Sequence, residues 1–291
     1  MSLKRRIGRT VLSREVQSSW LGSLLRSTVR ATDGLYSYSP QFKLAMQVVD
    51  RPHYAWCMMR AAELGRALGH DRISAIEFGV AGGNGLAFMC DYAEDVKKVT
   101  GVEIVCYGFD TGEGMPPPEG AADLPYWFAA QQYRMDVDAL KARIPTGNLV
   151  LGNIRDRIDG FLDEHAPPPI GVIFNDTDYW SSTRESFRLF DQAAARPEHF
   201  LPRQFMYFDD IIGSEIEMYG PYNGQLKAME EYNSSQEDVK IHRNQNLLGD
   251  IQYPWRWQIY YAHLFRHPAY ETYIGGNMQE AMETALKLKN S

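Results

Sequence analysis

Ile73 to Phe88 reads ISAIEFGVAGGNGLAF, and this stretch decides the fold. Ile73, Ala75, Ile76 and Phe78 form a short apolar run with β-branched content, which suits a strand buried on both faces. Gly79, Gly82, Gly83 and Gly85 follow, and then Leu86, Ala87, Phe88 and Met89 resume at helix-compatible composition. Strand, glycine turn and helix form the unit that brings backbone N–H groups close to a ligand at a helix N-terminus. The spacing excludes two familiar uses. From Gly79 it runs G-x-x-G-G-x-G, whereas a dinucleotide fingerprint needs G-x-G-x-x-G and a P-loop needs Lys-Ser or Lys-Thr. Glu77 stands inside the strand, two residues before the first glycine. A glycine-rich turn with packing duties only is the plain alternative.

Downstream, Glu103 to Phe109 reads as a second strand, ending in Asp110-Thr111-Gly112-Glu113-Gly114. Asp110 lies 33 residues after Glu77, a full β–α–β step. In a doubly wound sheet the carboxyl end of strand two lies beside the glycine turn. A carboxylate there can accept both hydroxyls of a ribose; it can equally cap the following loop as an Asx turn. Upstream, Arg51 to Leu68 has the apolar face of a helix, with Pro52 at its start and Gly69 at its stop.

Further strands are expected at Asn148–Leu151, followed by Gly152-Asn153, at Ile170–Phe174, at Phe205–Phe208, at Lys240–Leu247 and at Trp257–Phe265. Helices are expected over 14–30, 127–143, 158–165, from Arg184, over 223–232 and over 278–288. The pattern predicts an α/β protein, a doubly wound, seven-stranded, mostly parallel sheet. Residues 1–50 make a helical N-terminal segment, 51–265 the sheet domain, and 266–291 an appendage. The N-terminal segment is suited either to capping a site or to packing on a second subunit of a homo-oligomer.

The net charge of −7 argues against nucleic acid as the main partner, because phosphate binding wants a basic face. Cys57, Cys90 and Cys106 are sparse and odd in number, which fits a reducing compartment and gives no thiolate zinc pattern. No apolar run reaches the roughly 18 residues of a membrane span, so a cytoplasmic protein with no membrane partner is expected.

Two acidic clusters follow strands four and five: Asp176 with Asp178, and Asp209-Asp210. In a doubly wound sheet both face the crevice that the glycine turn faces. Carboxylates converging without a basic partner repel one another, and a hard divalent cation resolves that repulsion. Magnesium fits better than zinc, since neither cluster holds His or Cys. Strand termination or helix capping by single aspartates is the alternative.

The runs E-F-G-V-A-G-G, F-D-T-G-E-G-M-P, D-T-D-Y-W-S-S-T and F-D-D together resemble the macrocin O-methyltransferase (TylF/MycF-like) family of class I S-adenosylmethionine (SAM) methyltransferases. The resemblance covers about Asp50 to Phe265. It implies a Rossmann-like fold and SAM- and magnesium-dependent methylation of a hydroxyl on a small-molecule acceptor such as a sugar or natural product. By it, Glu77, Gly79 and Gly83 would line the methionine end of SAM and Asp110 would hold the ribose, with Asn153 a further cofactor candidate. Asp176, Asp209 and Asp210 would bind the metal. The chain departs from the family at Ala81 and Asn84-Gly85. Related catechol-type enzymes place a lysine three residues after the first metal aspartate, and here that position is Tyr179. The base is therefore sought among Asp178 first, then Tyr179 and His242. Tyr36, Tyr38, Trp180, Tyr222 and Trp255 are candidate pocket aromatics. Two other readings are a metal-dependent hydrolase or hydroxylase-like relative on the same fold, and a SAM-binding protein without turnover.

Overall fold

The computed structural model describes residues 14–247 and 253–287. Seven strands form one sheet in the order β3-β2-β1-β4-β5-β7-β6. They are β1 (Arg72–Phe78), β2 (Glu103–Asp110), β3 (Asn148–Leu151), β4 (Ile170–Asn175), β5 (Phe200–Phe208), β6 (Val239–Arg243) and β7 (Ile259–Leu264). β7 runs antiparallel to both its neighbours, and the pairings among β1 to β5 are parallel. This is the doubly wound, mostly parallel sheet expected from the sequence.

The helices used below are α1 (Trp20–Thr32), α2 (Pro52–Ala67), α3 (Asn84–Thr100), α4 (Val137–Arg143), α5 (Trp180–Asp191) and α6 (Gly224–Ser235). β1 is buried along both faces, so its side chains divide between two cores by strand alternation. Ile73 and Ala75 pack with Met58 and Ala62 of α2 and Met89 of α3. Ile76 and Phe78 pack with Phe187 and Phe190 of α5 and with Phe161.

The register aligns four strand ends. Phe78 pairs with Phe109 on one side and Asn175 on the other, and Asn175 pairs with Phe208. The residues that follow this row are Asp110, Gly79, Asp176 and Asp209, all at one edge of the sheet. Parallel strands of matched length therefore gather the glycine turn and both acidic clusters.

Several elements differ from expectation, each for a local reason. The helix expected over 14–30 is divided, because Ser19 accepts from Gly22 N and starts α1 afresh. Only 137–143 of the expected 127–143 helix forms. Gln131 and Tyr133 have φ of +67° and +59°, which a right-handed helix cannot hold, and Asp136 caps α4 through Ala139 N. Of the helix expected over 158–165 only Phe161–His165 forms, and a separate turn, Ile154–Arg157, precedes it. β5 starts at Phe200 rather than Phe205, and its register against β4 shifts in the segment holding Pro202, where a missing N–H is tolerated. The last helix is Gly276–Leu286. No described helix is long and apolar enough to cross a membrane.

Candidate functional site

The turn after β1 is closed by Asp110. Its Oδ2 accepts from the N–H groups of Val80 and Ala81, both at 2.9 Å, and its Oδ1 accepts from Gly112 N at 2.7 Å. A carboxylate offers about four acceptor sites. Three are used, so Oδ1 keeps one for a ligand hydroxyl. The capping and ligand readings of Asp110 are thus compatible. Gly79 has φ of +84°, and a Cβ there would stand 1.8 Å from the Asp176 carbonyl oxygen. Glycine lets the loops after β1 and β4 touch.

Asp110, Gly79 and Asn153 line one cleft, together with Ile154, Met115 and Asp176. Asn153 also caps the turn that begins at Ile154, accepting from Arg155 N at 3.0 Å. Two of the expected cofactor residues stand elsewhere. Gly83 lies in a separate recess beside Arg51. Glu77 is buried behind the turn, where its Oε1 accepts from Tyr54 Oη at 2.6 Å. Among the described residues its Oε2 has no hydrogen-bond partner. Burial pushes the Glu77 carboxyl up to about 8, the Tyr54 hydrogen bond opposing and the charge of Asp110 adding. Gly85 makes room for this group, since a Cβ there would meet Oε1 at 1.8 Å.

Across the cleft, Asp176, Asp209 and Asp210 each present a carboxylate oxygen, all three within 4.8 Å of one another. Two of them are held from behind. Tyr207 donates to Asp209 Oδ1 at 2.5 Å. Gln225, fully buried, donates to Asp210 Oδ2 at 3.1 Å and accepts from Asp210 N at 3.1 Å, and it also donates to the Asn175 carbonyl. Burial, then the charges of Asp210 and Asp209, raise Asp176 well above the carboxylate range. Burial and Asp178 do the same to Asp210. A donor set of three oxygens with this unrelieved repulsion fits a hard divalent cation.

The three expected bases separate. Asp178, with φ of +59°, donates its own N–H to Asp210 Oδ2 at 3.0 Å and lines both halves of the cleft. Burial and Asp176 lift its carboxyl to about 7. The structure does not bring Tyr179 there. Its ring is buried in a small cluster with Leu124 and Phe128, and burial lifts its phenol to about 12. Nor does it bring His242 there. β7 inserts between β5 and β6, so His242 stands on the edge strand opposite Tyr261, its Nε2 3.0 Å from His263 Nε2.

The expected pocket aromatics also lie elsewhere. Trp180 donates to Glu231, Trp255 donates to Gln47 and Tyr222 is exposed. Tyr36 and Tyr38 pair with each other in the N-terminal segment. The aromatic walls are instead Trp127, Phe128, Tyr133 and Tyr219, on the loops before α4 and α6. Sequence reading placed the first three in or beside a helix. Tyr207 was findable, being two residues before Asp209 on a strand and so on a shared face. Gln225 carried no sequence signal.

No protein-family model matches the chain, and no curated protein matches it. Among solved structures it is similar to CalS11, a calicheamicin methyltransferase, at 17% identity over 90% of this chain and 93% of that one, with a TM-score of 0.49. It is also similar to the O-methyltransferase NovP, at 13% identity over 71% and 77%, TM-score 0.47. An O-methyltransferase from Bacillus cereus in complex with SAH is similar at 12% identity over 86% and 95%, TM-score 0.38.

Proposed function

We propose that this chain is a SAM-dependent O-methyltransferase that holds a divalent cation, magnesium, on Asp176, Asp209 and Asp210 and methylates a hydroxyl of a small molecule. One observation carries the reading: the three carboxylate oxygens converge within 4.8 Å at the edge of the cleft that Gly79 and Asp110 line. A nucleoside-bearing cofactor and a cation-bound acceptor would then be neighbours. The sequence resemblance supports SAM as that cofactor.

When bound, the cation lowers the pKa of an acceptor hydroxyl, and SAM supplies an electrophilic methyl group. The chain supplies position and proton handling. Asp110, fixed by three backbone N–H groups, offers its remaining Oδ1 site to a ribose hydroxyl. Asn153 and Ile154 close the same half of the cleft. Tyr207 and Gln225 hold Asp209 and Asp210 in place, so both carboxylates are preorganised. Asp178 lines both halves and is the residue assigned to take the hydroxyl proton.

The test is transfer of a labelled methyl group from SAM to a panel of sugars, polyols and catechols, with magnesium and with EDTA. Transfer that needs magnesium and is lost in the Asp209→Asn, Asp210→Asn double variant supports the reading. Undiminished transfer in EDTA refutes the metal part.

A further inference from the structure

The acceptor half of the cleft is walled by aromatic rings and lined by one sign of charge. Trp127, Phe128, Tyr133 and Tyr219 surround it, and Ile212 stands at its mouth. Beyond the three proposed metal ligands it holds Asp178 and Glu217. Among the described residues no Lys, Arg or His lines it. Arg51, whose charge reaches Asp176, belongs to the separate recess beside Gly82 and Gly83.

The same carboxylates act on the two phenols of the wall. After burial, Tyr133 is raised by Asp178, Asp210, Asp176 and Glu217. Tyr219 is raised by burial and then by Asp210, Glu217, Asp178 and Asp209. Both rings therefore stand in the negative potential of those carboxylates. A divalent cation on three carboxylates leaves Asp178 and Glu217 uncompensated. Glu217 stands on the loop after β5, its Oε2 accepting from Ser214 N at 2.8 Å. Tyr126 Oη donates to the Glu217 carbonyl at 2.7 Å and ties that loop to the one carrying Trp127 and Tyr133. One carboxylate beside exposed indole and phenol faces is the arrangement that attracts a cationic nitrogen and repels an anion.

We infer that the methyl acceptor carries a protonated amine, received between Trp127, Tyr133 and Glu217, and that acceptors bearing phosphate or carboxylate are excluded. This deepens the methyltransferase reading and rests on it. It assigns the amine to recognition alone: the methyl group goes to a hydroxyl oxygen and the ammonium is unchanged.

The experiment compares three probes with one shared diol and different charge: dopamine, 4-methylcatechol and 3,4-dihydroxybenzoate. Each is titrated by calorimetry into the full chain loaded with magnesium and S-adenosylhomocysteine. Dopamine should bind ~10-fold more tightly than 4-methylcatechol, and dihydroxybenzoate most weakly. Glu217→Gln keeps an acceptor for Ser214 N and should collapse the dopamine to methylcatechol ratio toward one. Trp127→Leu should reduce it. Equal affinities, tightest binding of dihydroxybenzoate, or a ratio unchanged in Glu217→Gln overturns the inference. Binding of S-adenosylhomocysteine with none of the three probes also overturns it, and leaves the cofactor reading standing. Failure to bind S-adenosylhomocysteine overturns the parent reading and this one with it.

Discussion

Tyr207 donates its phenolic hydrogen to Asp209 Oδ1 across 2.5 Å, and the ring that does so is stacked on His53 at 4.4 Å. The stack fixes the phenol, and the phenol fixes which oxygen of Asp209 is left for a cation. Burial, with the charge of Arg51, keeps His53 neutral, its imidazole lowered to about 3.

Tyr207→Phe therefore keeps the stack and removes the orienting bond. Magnesium affinity should fall ~10- to 100-fold, the usual effect of losing a partner that orients a ligand. Affinity for S-adenosylhomocysteine should be unchanged. Calorimetric titration of each separates the two, and an unchanged magnesium affinity counts against the assigned role.

Removal of the cation should destabilise the fold more at higher pH. Asp176 and Asp210 are held above the carboxylate range, chiefly by burial. A group whose folded pKa is raised contributes stability that is complete below its unfolded pKa and lost as pH rises through the folded one. A bound cation offsets this loss. Magnesium at ~100 times its Kd should add about 2.7 kcal/mol. Thermal unfolding with magnesium or EDTA should show a gap that widens as pH rises above the usual carboxylate range. In Asp210→Asn the gap should close.

Glu77 gives a second pH signature by the same sign. Its carboxyl stands at about 8 in the folded chain, against a usual value of about 4.3. Its contribution is complete below about 4.3 and is lost as pH rises through 8. Glu77→Gln keeps an acceptor for Tyr54 and has no charge to bury. Denaturant unfolding in EDTA should show wild type losing stability relative to Glu77→Gln between these limits. A pH-independent difference would mean that Glu77 does not carry its proton in the fold.

Gly79→Ala tests the contact between the two loops. The added Cβ meets the Asp176 carbonyl at 1.8 Å in a left-handed backbone, so the turn or the loop after β4 must move. Destabilisation of ~2 kcal/mol or more is expected, with weakened binding of both cofactor and cation. By contrast Gly82→Ala meets nothing within 4 Å and should be near neutral. Equal effects from the two would contradict the close approach.

Parallel strands buried on both faces announce themselves as apolar runs, which is why the parallel strands and their carboxyl-end aspartates are readable in the sequence, the first half of β5 excepted. Asp176, Asp209 and Asp210 converge because sheet register, a regular quantity, brings them there. Loops have no such rule. The segment from Trp127 to Met135 has helical composition and a non-helical path set by left-handed residues and the Asp136 cap. Its aromatic residues could not be assigned to the cleft from composition. His242 was misplaced because strand order, here β7 between β5 and β6, is a tertiary choice that spacing does not encode. Glu77 was legible as an acidic residue on β1, and its burial behind the turn was not.

Titration of S-adenosylhomocysteine into the chain by calorimetry is the most direct measurement of the central claim. The account predicts one saturable site of micromolar affinity, strongly weakened in Asp110→Ala and little changed in the Asp209→Asn, Asp210→Asn double variant. No binding, or binding indifferent to Asp110, would contradict it.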